Sequence, residues 1–188
     1  GIAWDGSRLY VADAGNHVVR GIDPESGDVT TVVGQGGAPG IDDGVGQAAR
    51  FYQPHGIAWD GEYLYVADTY NHTVRRIDRA TWNVTTIAGV GGLLGVLDGP
   101  GESARFTYPY GISSDAKYLY VADGNNSTIR RIDKTTLTVS TLAGRAGNVG
   151  DSDGTATDAR FCRPSGVLAG RACRYVADTY NQIIRIIE

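Results

Sequence analysis

The feature that most constrains this chain is an internal repeat. A pattern that begins as Gly-Ile-Ala-Trp-Asp at Gly1 returns, intact or altered, at Gly56, Gly111 and Gly166, and these starts are 55 residues apart. A constant period of this length is typical of proteins built from one supersecondary unit used several times. The chain is therefore predicted to form a single repeat domain. Its units run over residues 1–55, 56–110, 111–165 and, incompletely, 166–188.

Each unit carries the pattern of four short β-strands. In the second unit the apolar or β-branched runs 56–59, 63–67, 73–78 and 84–88 are separated by turn-forming residues such as Asp60-Gly61. Four strands in an antiparallel meander form one blade of a β-propeller. We therefore predict an all-β fold, a β-propeller of four-stranded antiparallel blades, of which about three and three-quarter are present.

Composition excludes two classes of function. Lys and Arg number 17 against 21 Asp and Glu, which gives a net charge of -4. Nucleic-acid surfaces need clustered excess positive charge, so we predict no nucleic-acid partner. No run approaches the roughly 20 apolar residues of a membrane span, so we predict none. The hydrophobic share of 41% is sufficient for a folded core.

One composite motif recurs along the chain. Around the second unit it reads Ala-Arg-Phe-x-x-Pro-x-Gly from Ala49, Tyr-Val-Ala-Asp from Tyr65, Asn-His at Asn71, Val-Arg at Val74 and Val-Thr-Thr-Ile-Ala-Gly from Val84. This motif resembles the NHL repeat, and the resemblance extends over essentially the whole chain. It implies a β-propeller, most often of six blades, that serves as a platform for binding proteins or ligands. It implies no single activity, because one fold can host many functions.

Some polar residues occur in every unit, and these are best explained by what every blade needs. An Asp ends the second strand, an Asn follows three residues later, and an Arg lies on the third strand. In antiparallel register the Asp and the Arg are diagonal neighbours on one face. Partial burial would require each charge to be compensated by the other. We therefore predict a structural network rather than a catalytic one, formed by Asp13, Asn16, Arg20, Asp68, Asn71, Arg75, Asp123, Asn126, Arg130, Asp178, Asn181 and Arg185.

Two more repeated features have structural interpretations. All three Phe of the chain, Phe51, Phe106 and Phe161, occupy one repeat position, which predicts a packing anchor between successive blades. The pairs Asp43-Gly44, Asp98-Gly99 and Asp153-Gly154 are predicted turns whose Asp pairs with the nearby Arg. Calcium is the alternative for these loops, but none has the ligand spacing of an EF-hand. We predict no metal and no cofactor.

The links between units and the turns between second and third strands share one face of a propeller, here called the top face. Positions there vary between units, and several are Tyr, which combines a large contact area with a polar tip. The alternative is that these Tyr only cover the Gly-rich links. We assign His17 and His72 to third strands, which leaves His55 as the one His near the top face. The predicted binding residues are Tyr52, His55, Tyr70, Tyr108, Tyr110, Arg163 and Tyr180.

These observations favour a non-catalytic interaction or scaffold module that binds a protein or peptide through the top-face loops. The alternative is a small-ligand sensor, or a lyase-type enzyme such as occurs on a related propeller, whose site requires blades outside this chain. Zinc normally needs three or four protein ligands, and the chain has only three His. It contains no nucleophile elbow and no P-loop. We therefore predict that the chain is not an enzyme.

An open arc of blades exposes strand edges. We expect further blades to complete the ring, with self-association as the alternative and a four-bladed ring third. Two features of the sequence favour different cellular compartments. Asn-x-Ser/Thr sequences such as the one at Asn83 favour secretion, whereas Cys162 and Cys173 are predicted to be free thiols, which favours an intracellular protein.

Overall fold

The computed structural model describes residues 1–188 as four antiparallel sheets in a propeller arrangement, which confirms the predicted all-β fold. The first sheet pairs, in chain order, β1 (Ile2–Trp4), β2 (Leu9–Asp13), β3 (Val18–Ile22) and β4 (Val29–Val33). The second sheet contains β5 (Gly44–Val45), β6 (Pro54–Trp59), β7 (Tyr63–Asp68), β8 (Thr73–Asp78) and β9 (Asn83–Ala88). The third contains β10 (Gly99–Pro100), β11 (Pro109–Ser114), β12 (Tyr118–Asp123), β13 (Thr128–Asp133) and β14 (Thr138–Ala143). The fourth contains β15 (Gly166–Ala169), β16 (Arg174–Asp178) and β17 (Ile183–Ile187).

The core lies between the sheets. The central strands carry apolar side chains on both faces, and each face packs against a neighbouring sheet. In β7, Leu64 and Val66 belong to the apolar cluster that joins the first and second sheets. Tyr65 and Ala67, on the other face of the same strand, belong to the cluster that joins the second and third sheets. Side chains alternate across a strand, so successive residues serve successive layers. Each blade is thus held by the blade before it and the blade after it.

One Phe from a link enters each of these layers. Phe51, Phe106 and Phe161 have 0%, 0% and 2% of their surface exposed, and each belongs to a different inter-sheet cluster. Burying a Phe side chain is worth about 2–3 kcal/mol relative to leaving it in water. Each link is therefore attached to the core through a buried Phe side chain.

The innermost strands converge so closely that only glycine fits at one position. A Cβ added at Gly56 would lie 2.3 Å from the carbonyl oxygen of Tyr110, and one added at Gly111 would lie 2.7 Å from that of Ser165. These distances are shorter than any ordinary van der Waals contact. Position 56 and its equivalents are therefore glycine because neighbouring backbones meet there.

The Gly-rich links contain two short strands that the sequence pattern does not predict. In β10, Gly99 is paired with Val139 and Pro100 with Thr138 of β14, which is the outermost full strand of the next blade. β5 is paired with β9 in the same way. Two-residue strands that contain Gly or Pro carry no period-two signal, so they form through tertiary contacts. Each link is thereby attached to the blade that follows it.

A second set of contacts joins neighbouring blades at the bottom face, which is opposite the top face. Asp60, in the turn between β6 and β7, accepts hydrogen bonds from Lys134 Nζ at 2.9 Å and from the Tyr65 hydroxyl at 3.0 Å. Lys134 belongs to the next blade. Equivalent salt bridges join the other pairs of blades, between Asp5 and Arg79 at 3.2 Å and between Asp115 and Arg174 at 3.0 Å. We call these two inter-blade salt bridges, together with that of Asp60 and Lys134, the bottom-face clasps.

The pKa of Asp60 reflects this environment. Burial acts to raise the pKa of the Asp60 carboxyl, but hydrogen bonds from the Tyr63 amide, from Lys134 and from the Glu62 amide outweigh it, so the pKa lies below 3.8. Hydrogen bonds to a carboxylate favour its charged form. The clasp is therefore strongest when the carboxyl is ionised.

The helical content is limited to six 3-10 turns of three residues: Ala14–Asn16, Gly46–Ala48, Thr69–Asn71, Gly124–Asn126, Ala156–Asp158 and Thr179–Asn181. None of these is long and apolar enough to cross a membrane.

Candidate functional site

The turn that follows each second strand has one conformation in all four sheets. A 3-10 turn ends at a residue with left-handed backbone, at φ 62° for His17 and 61° for His72. The third strands begin one residue later, at Val18 and Thr73, so the assignment of these His to third strands is wrong. The chain reverses within so few residues that the last turn residue must be left-handed before the strand can start. This places both His in the top-face turns.

Directly beneath the top face lies a carboxylate in each unit, and it is fully buried in the second, third and fourth units. Asp68 has no exposed surface, and its Oδ1 accepts a hydrogen bond from the Tyr52 amide at 2.8 Å. Its Oδ2 accepts hydrogen bonds from Asn71 Nδ2 and Arg75 Nη1, both at 2.8 Å. The carboxylate therefore ties the link before the blade to the turn and the third strand within it.

The arginine extends this network into the preceding link. Arg75 Nη1 also donates to the carbonyl of Arg50 at 2.8 Å, and Nη2 donates to the Asp43 carboxylate at 2.7 Å. The guanidinium lies 5.1 Å from the ring centroid of Phe51. Bonds to charged groups are stronger than neutral ones, and a buried guanidinium needs them. The Asp of the Asp-Gly turn is thus a partner of Arg75, as the sequence analysis expected.

The same arrangement is repeated in the next two blades. Asp123 and Asp178 each accept a bond from a link amide, from an Asn and from an Arg. In the first blade Asp13 accepts bonds from Asn16 and Arg20, but the Asp13 side chain keeps 25% of its surface exposed. Burial raises the pKa of the Asp68 and Asp123 carboxyls to about 6, although their arginines act in the opposite direction. The twelve predicted network residues therefore lie in four clusters, and in each cluster both carboxylate oxygens accept hydrogen bonds.

Each link crosses the top face next to the turn of the preceding blade. The second residue after the Phe of each link has a left-handed backbone, at φ 47° for Gln53, 54° for Tyr108 and 46° for Arg163. The Gln53 amide donates to Nδ1 of His17 at 3.1 Å, and the Tyr108 amide donates to Nδ1 of His72 at 3.3 Å. An imidazole nitrogen that accepts such a bond carries no proton, so the proton of the neutral ring is on Nε2. Burial also lowers the pKa of His72, which keeps this ring uncharged.

Aromatic rings form a continuous track across the top face. Ring centroids are 5.5 Å apart for His17 and Tyr52, 5.2 Å for Tyr52 and Tyr70, and 5.1 Å for Tyr70 and Tyr108. The track ends at His72, 4.6 Å from Tyr108. Tyr52 and Tyr70 keep 38% and 37% of their surface exposed. We call these five residues the aromatic track, and it spans two inter-blade boundaries.

Closer to the central axis, one repeat position changes together with its neighbour. His55 Nδ1 lies 3.1 Å from the hydroxyl of Thr69, and the rings of His55 and Tyr110 are 5.2 Å apart. Tyr110, the equivalent of His55, lies over Gly124, where a Cβ would come within 2.6 Å of its ring. The threonine that pairs with His55 has thus been replaced by glycine where the neighbour is tyrosine. Such paired changes show that the fold does not require one side chain here.

Tyr110 is influenced by charges from both the track and the last predicted residues. Burial raises the pKa of Tyr110, and so does the nearby Tyr70, whereas Arg163 acts to lower it. Arg163 Nη1 donates to the Tyr180 hydroxyl at 3.2 Å, and the guanidinium lies 5.0 Å from the Tyr180 ring centroid. Tyr180 is 63% exposed. All seven predicted binding residues therefore lie on one surface.

Sequence reasoning missed His17 and His72 as members of this surface. Both occupy a position that is Ser127 and Gln182 in the other units, so it varies as much as the positions that were selected. That variation was the available signal. It was overlooked because the length of the turn was misjudged by one residue.

Charge is sparse in the turns of the top face and in the last four residues of each link. Among the turn and link segments 14–17, 52–55, 69–72, 107–110, 124–127, 162–165 and 179–182, Arg163 is the only Lys, Arg, Asp or Glu. No group of three or more His, Cys, Asp or Glu side chains is placed to hold a metal ion. Cys162 and Cys173 are both free. These turn and link segments can therefore offer aromatic contact, imidazole rings and one guanidinium.

Antiparallel blades joined by links that pair with the next blade, with variable turns gathered on one face, define a β-propeller binding platform. Residues 51–77 match the family model of the NHL repeat. NHL repeat-containing protein 2 of Bos taurus is 39% identical over 144 residues, which cover 71% of this chain and 20% of the relative. Its counterpart in Homo sapiens is 38% identical over 146 residues, with 72% and 20% covered. The chain belongs to the NHL-repeat family.

A solved structure shows the same architecture. An auxiliary nutrient binding protein of Bacteroides thetaiotaomicron superposes with a TM-score of 0.77 at 25% identity, covering 96% of this chain and 45% of its own. The chain spans about a fifth of the length of the curated relatives it matches. An NHL propeller has a scaffold or binding role as a repeat domain, and propellers commonly mediate protein interactions. The relatives are named for their repeats and not for a reaction.

Proposed function

We propose that this chain is a non-catalytic interaction module that binds a protein or peptide through its top face. The observation that carries the proposal is the aromatic track from His17 to His72, which is continuous and exposed at Tyr52 and Tyr70. Tyrosine offers a large rigid contact area with few rotatable bonds, and it is enriched where binding energy concentrates. None of the track residues recurs in every unit, so the needs of the repeat alone do not explain them.

The chemistry around the track supports binding rather than catalysis. The carboxylates below the surface already accept bonds on both oxygens, as Asp68 does from Tyr52, Asn71 and Arg75. The ring nitrogen Nδ1 of His72 is occupied by a backbone amide. A general base must be free to reach the proton it removes. The groups best suited to acid–base catalysis are therefore already engaged in structural bonds.

The test is selection of peptides from a random display library on the folded chain, followed by affinity measurement with synthetic copies. We expect Tyr70→Ala and Tyr108→Ala to weaken binding roughly 30-fold, the loss typical of an interface hot spot. Tyr63→Ala is the matched control because Tyr63 lies at the bottom end of β7. It should leave affinity unchanged. Selected peptides that bind equally well to both top-face variants would overturn the proposal.

A further inference from the structure

Arg163 differs from the arginines that hold this fold together. Six arginines, namely Arg20, Arg75, Arg79, Arg130, Arg174 and Arg185, form salt bridges with Asp. Arg163 has no carboxylate partner, and its side chain makes one hydrogen bond, to the Tyr180 hydroxyl. A guanidinium has five N–H donors. Most of its donors therefore remain available on the surface.

The position of Arg163 is fixed from both sides. Its backbone amide donates to the Ser127 hydroxyl at 3.3 Å, and the Tyr180 amide donates to the carbonyl of Cys162 at 3.1 Å. The link that carries Arg163 and the turn that carries Tyr180 are thus tied together, and the Tyr180 ring supports the guanidinium at 5.0 Å. A side chain held in this way loses less conformational entropy when a ligand binds.

The fold does not require an arginine at this position. Gln53 and Tyr108 occupy the equivalent place in the other links with the same left-handed backbone. The nearby carboxylate of Asp178 is fully buried and accepts bonds from the Cys162 amide, Asn181 and Arg185. Arg163 is therefore a positive charge without a carboxylate partner, and it is the one charged residue among the top-face turns and the last four residues of each link, in a protein whose net charge is -4.

We infer that Arg163 and Tyr180 form a subsite for a carboxylate of the bound peptide, contributed by Asp, Glu or the C-terminus. This inference rests on the proposed peptide-binding function. The planar guanidinium matches a carboxylate in a two-pronged geometry. The peptide's apolar side chains would lie on the aromatic track, which is on the same face as Arg163. A basic or uncharged peptide could not pair with the Arg163 guanidinium.

The test uses the peptides recovered by display whose binding is weakened by Tyr70→Ala. We expect a carboxylate at a constant separation from an apolar residue. Changing that Glu or Asp to its amide, or amidating the C-terminus, identifies which carboxylate is used. The effective change should lower affinity about tenfold to hundredfold on the intact chain, as expected for a bond between charged partners.

A double-mutant cycle then assigns the effect to Arg163. Arg163→Gln should cause the same loss, and in that variant the change from acid to amide should have no further effect. Arg163→Lys should retain only part of the affinity, because lysine keeps the positive charge but cannot bond a carboxylate through two N–H groups at once. Arg171→Gln, in the exposed turn between β15 and β16, is the matched control and should bind as the unmodified chain does.

The outcomes separate this inference from the function on which it rests. Peptides that need Tyr70 but tolerate both Arg163→Gln and removal of every carboxylate would overturn the subsite and leave the proposed function standing. An acid-to-amide effect that persists undiminished in Arg163→Gln would also overturn the subsite. Peptides that ignore the top-face variants, or failure to select any peptide, would overturn both.

Discussion

At the scale of single residues, the buried Asp68–Arg75 pair gives a direct test of the structural network. Asp68→Ala or Arg75→Ala should lower the free energy of unfolding by about 3–5 kcal/mol, because each removes one half of a buried charge pair and leaves the groups bonded to it without that partner. Denaturant titration measures the change. Asp13→Ala is the matched control, since the Asp13 and Arg20 side chains are 25% and 33% exposed. It should lose less than about 1 kcal/mol. Equal losses at the two sites would contradict the structural interpretation.

The sequence predicted which residues form this pair but not how far it reaches. Period and strand pattern placed Asp68 and Arg75 as diagonal neighbours, and their register agrees with that placement. The bonds from Arg75 to the Arg50 carbonyl and from Asn71 to the Gly40 carbonyl were not foreseen. Backbone carbonyls carry no sequence signal, so only the folded link shows which of them face the arginine.

At the scale of elements, close approach of the innermost strands is the sharpest constraint. Gly56→Ala should destabilise the protein by about 1–3 kcal/mol, because the new methyl group would collide with the Tyr110 carbonyl and force two strands apart. Gly15→Ala is the control, since nothing lies within 4 Å of a Cβ built there. It should be neutral or slightly stabilising. Thermal melting of both variants measures the difference, and a harmless Gly56→Ala would show that the strands can separate freely.

Strands with a regular pattern were predictable, and elements defined by contact were not. β7 and β8 follow from alternation and β-branched residues, and the structure places them within one residue of the prediction. β5 and β10 lie in Gly-rich links and exist because a neighbouring outer strand offers free hydrogen-bonding groups. The left-handed residue before the third strand was misplaced by one position. That small error hid two of the five members of the aromatic track.

At the scale of the whole molecule, the bottom-face clasps make stability between blades depend on pH. The pKa of Asp60 is lower in the folded protein than the usual 3.8, so its stabilising contribution is fully present above 3.8 and is lost as the pH falls below 3.8 and through the lower pKa of the folded protein. Asp60→Asn should therefore be less stable than the unmodified chain by roughly 1–3 kcal/mol at neutral pH. The difference should shrink as the pH is lowered towards about 3.

The measurement is the difference between the two denaturation curves at each pH. Asp68 and Asp123 have a pKa raised to about 6, so their contribution has the opposite sign and decreases as the pH rises through that value. Both carboxyls are present in both proteins, so their effect cancels in the comparison. A difference that stays constant from neutral to acid pH would show that the Asp60 carboxylate does not stabilise the fold.

The top face shows how far sequence alone could reach at this scale. Broken repeat symmetry selected seven residues, and the structure places all of them on one surface. The order of the rings along the track depends on how neighbouring blades are turned relative to one another. No pattern within a single unit contains that information, so the track became visible only when Tyr52, Tyr70 and Tyr108 were seen together.

Each link is attached to the following blade, so the structural unit, a link plus the blade after it, begins earlier in the chain than the 55-residue sequence repeat. Counted from Gly56, a repeat ends where the next pentapeptide pattern begins, yet the link around Asp43 supplies the carboxylate and the carbonyls that Arg75 needs. Adjacent repeats therefore share one set of interlocking parts. A recombination of such units that keeps these contacts must place the junction upstream of the Asp-Gly turn. A junction at the pentapeptide would separate each arginine from the link residues to which it bonds.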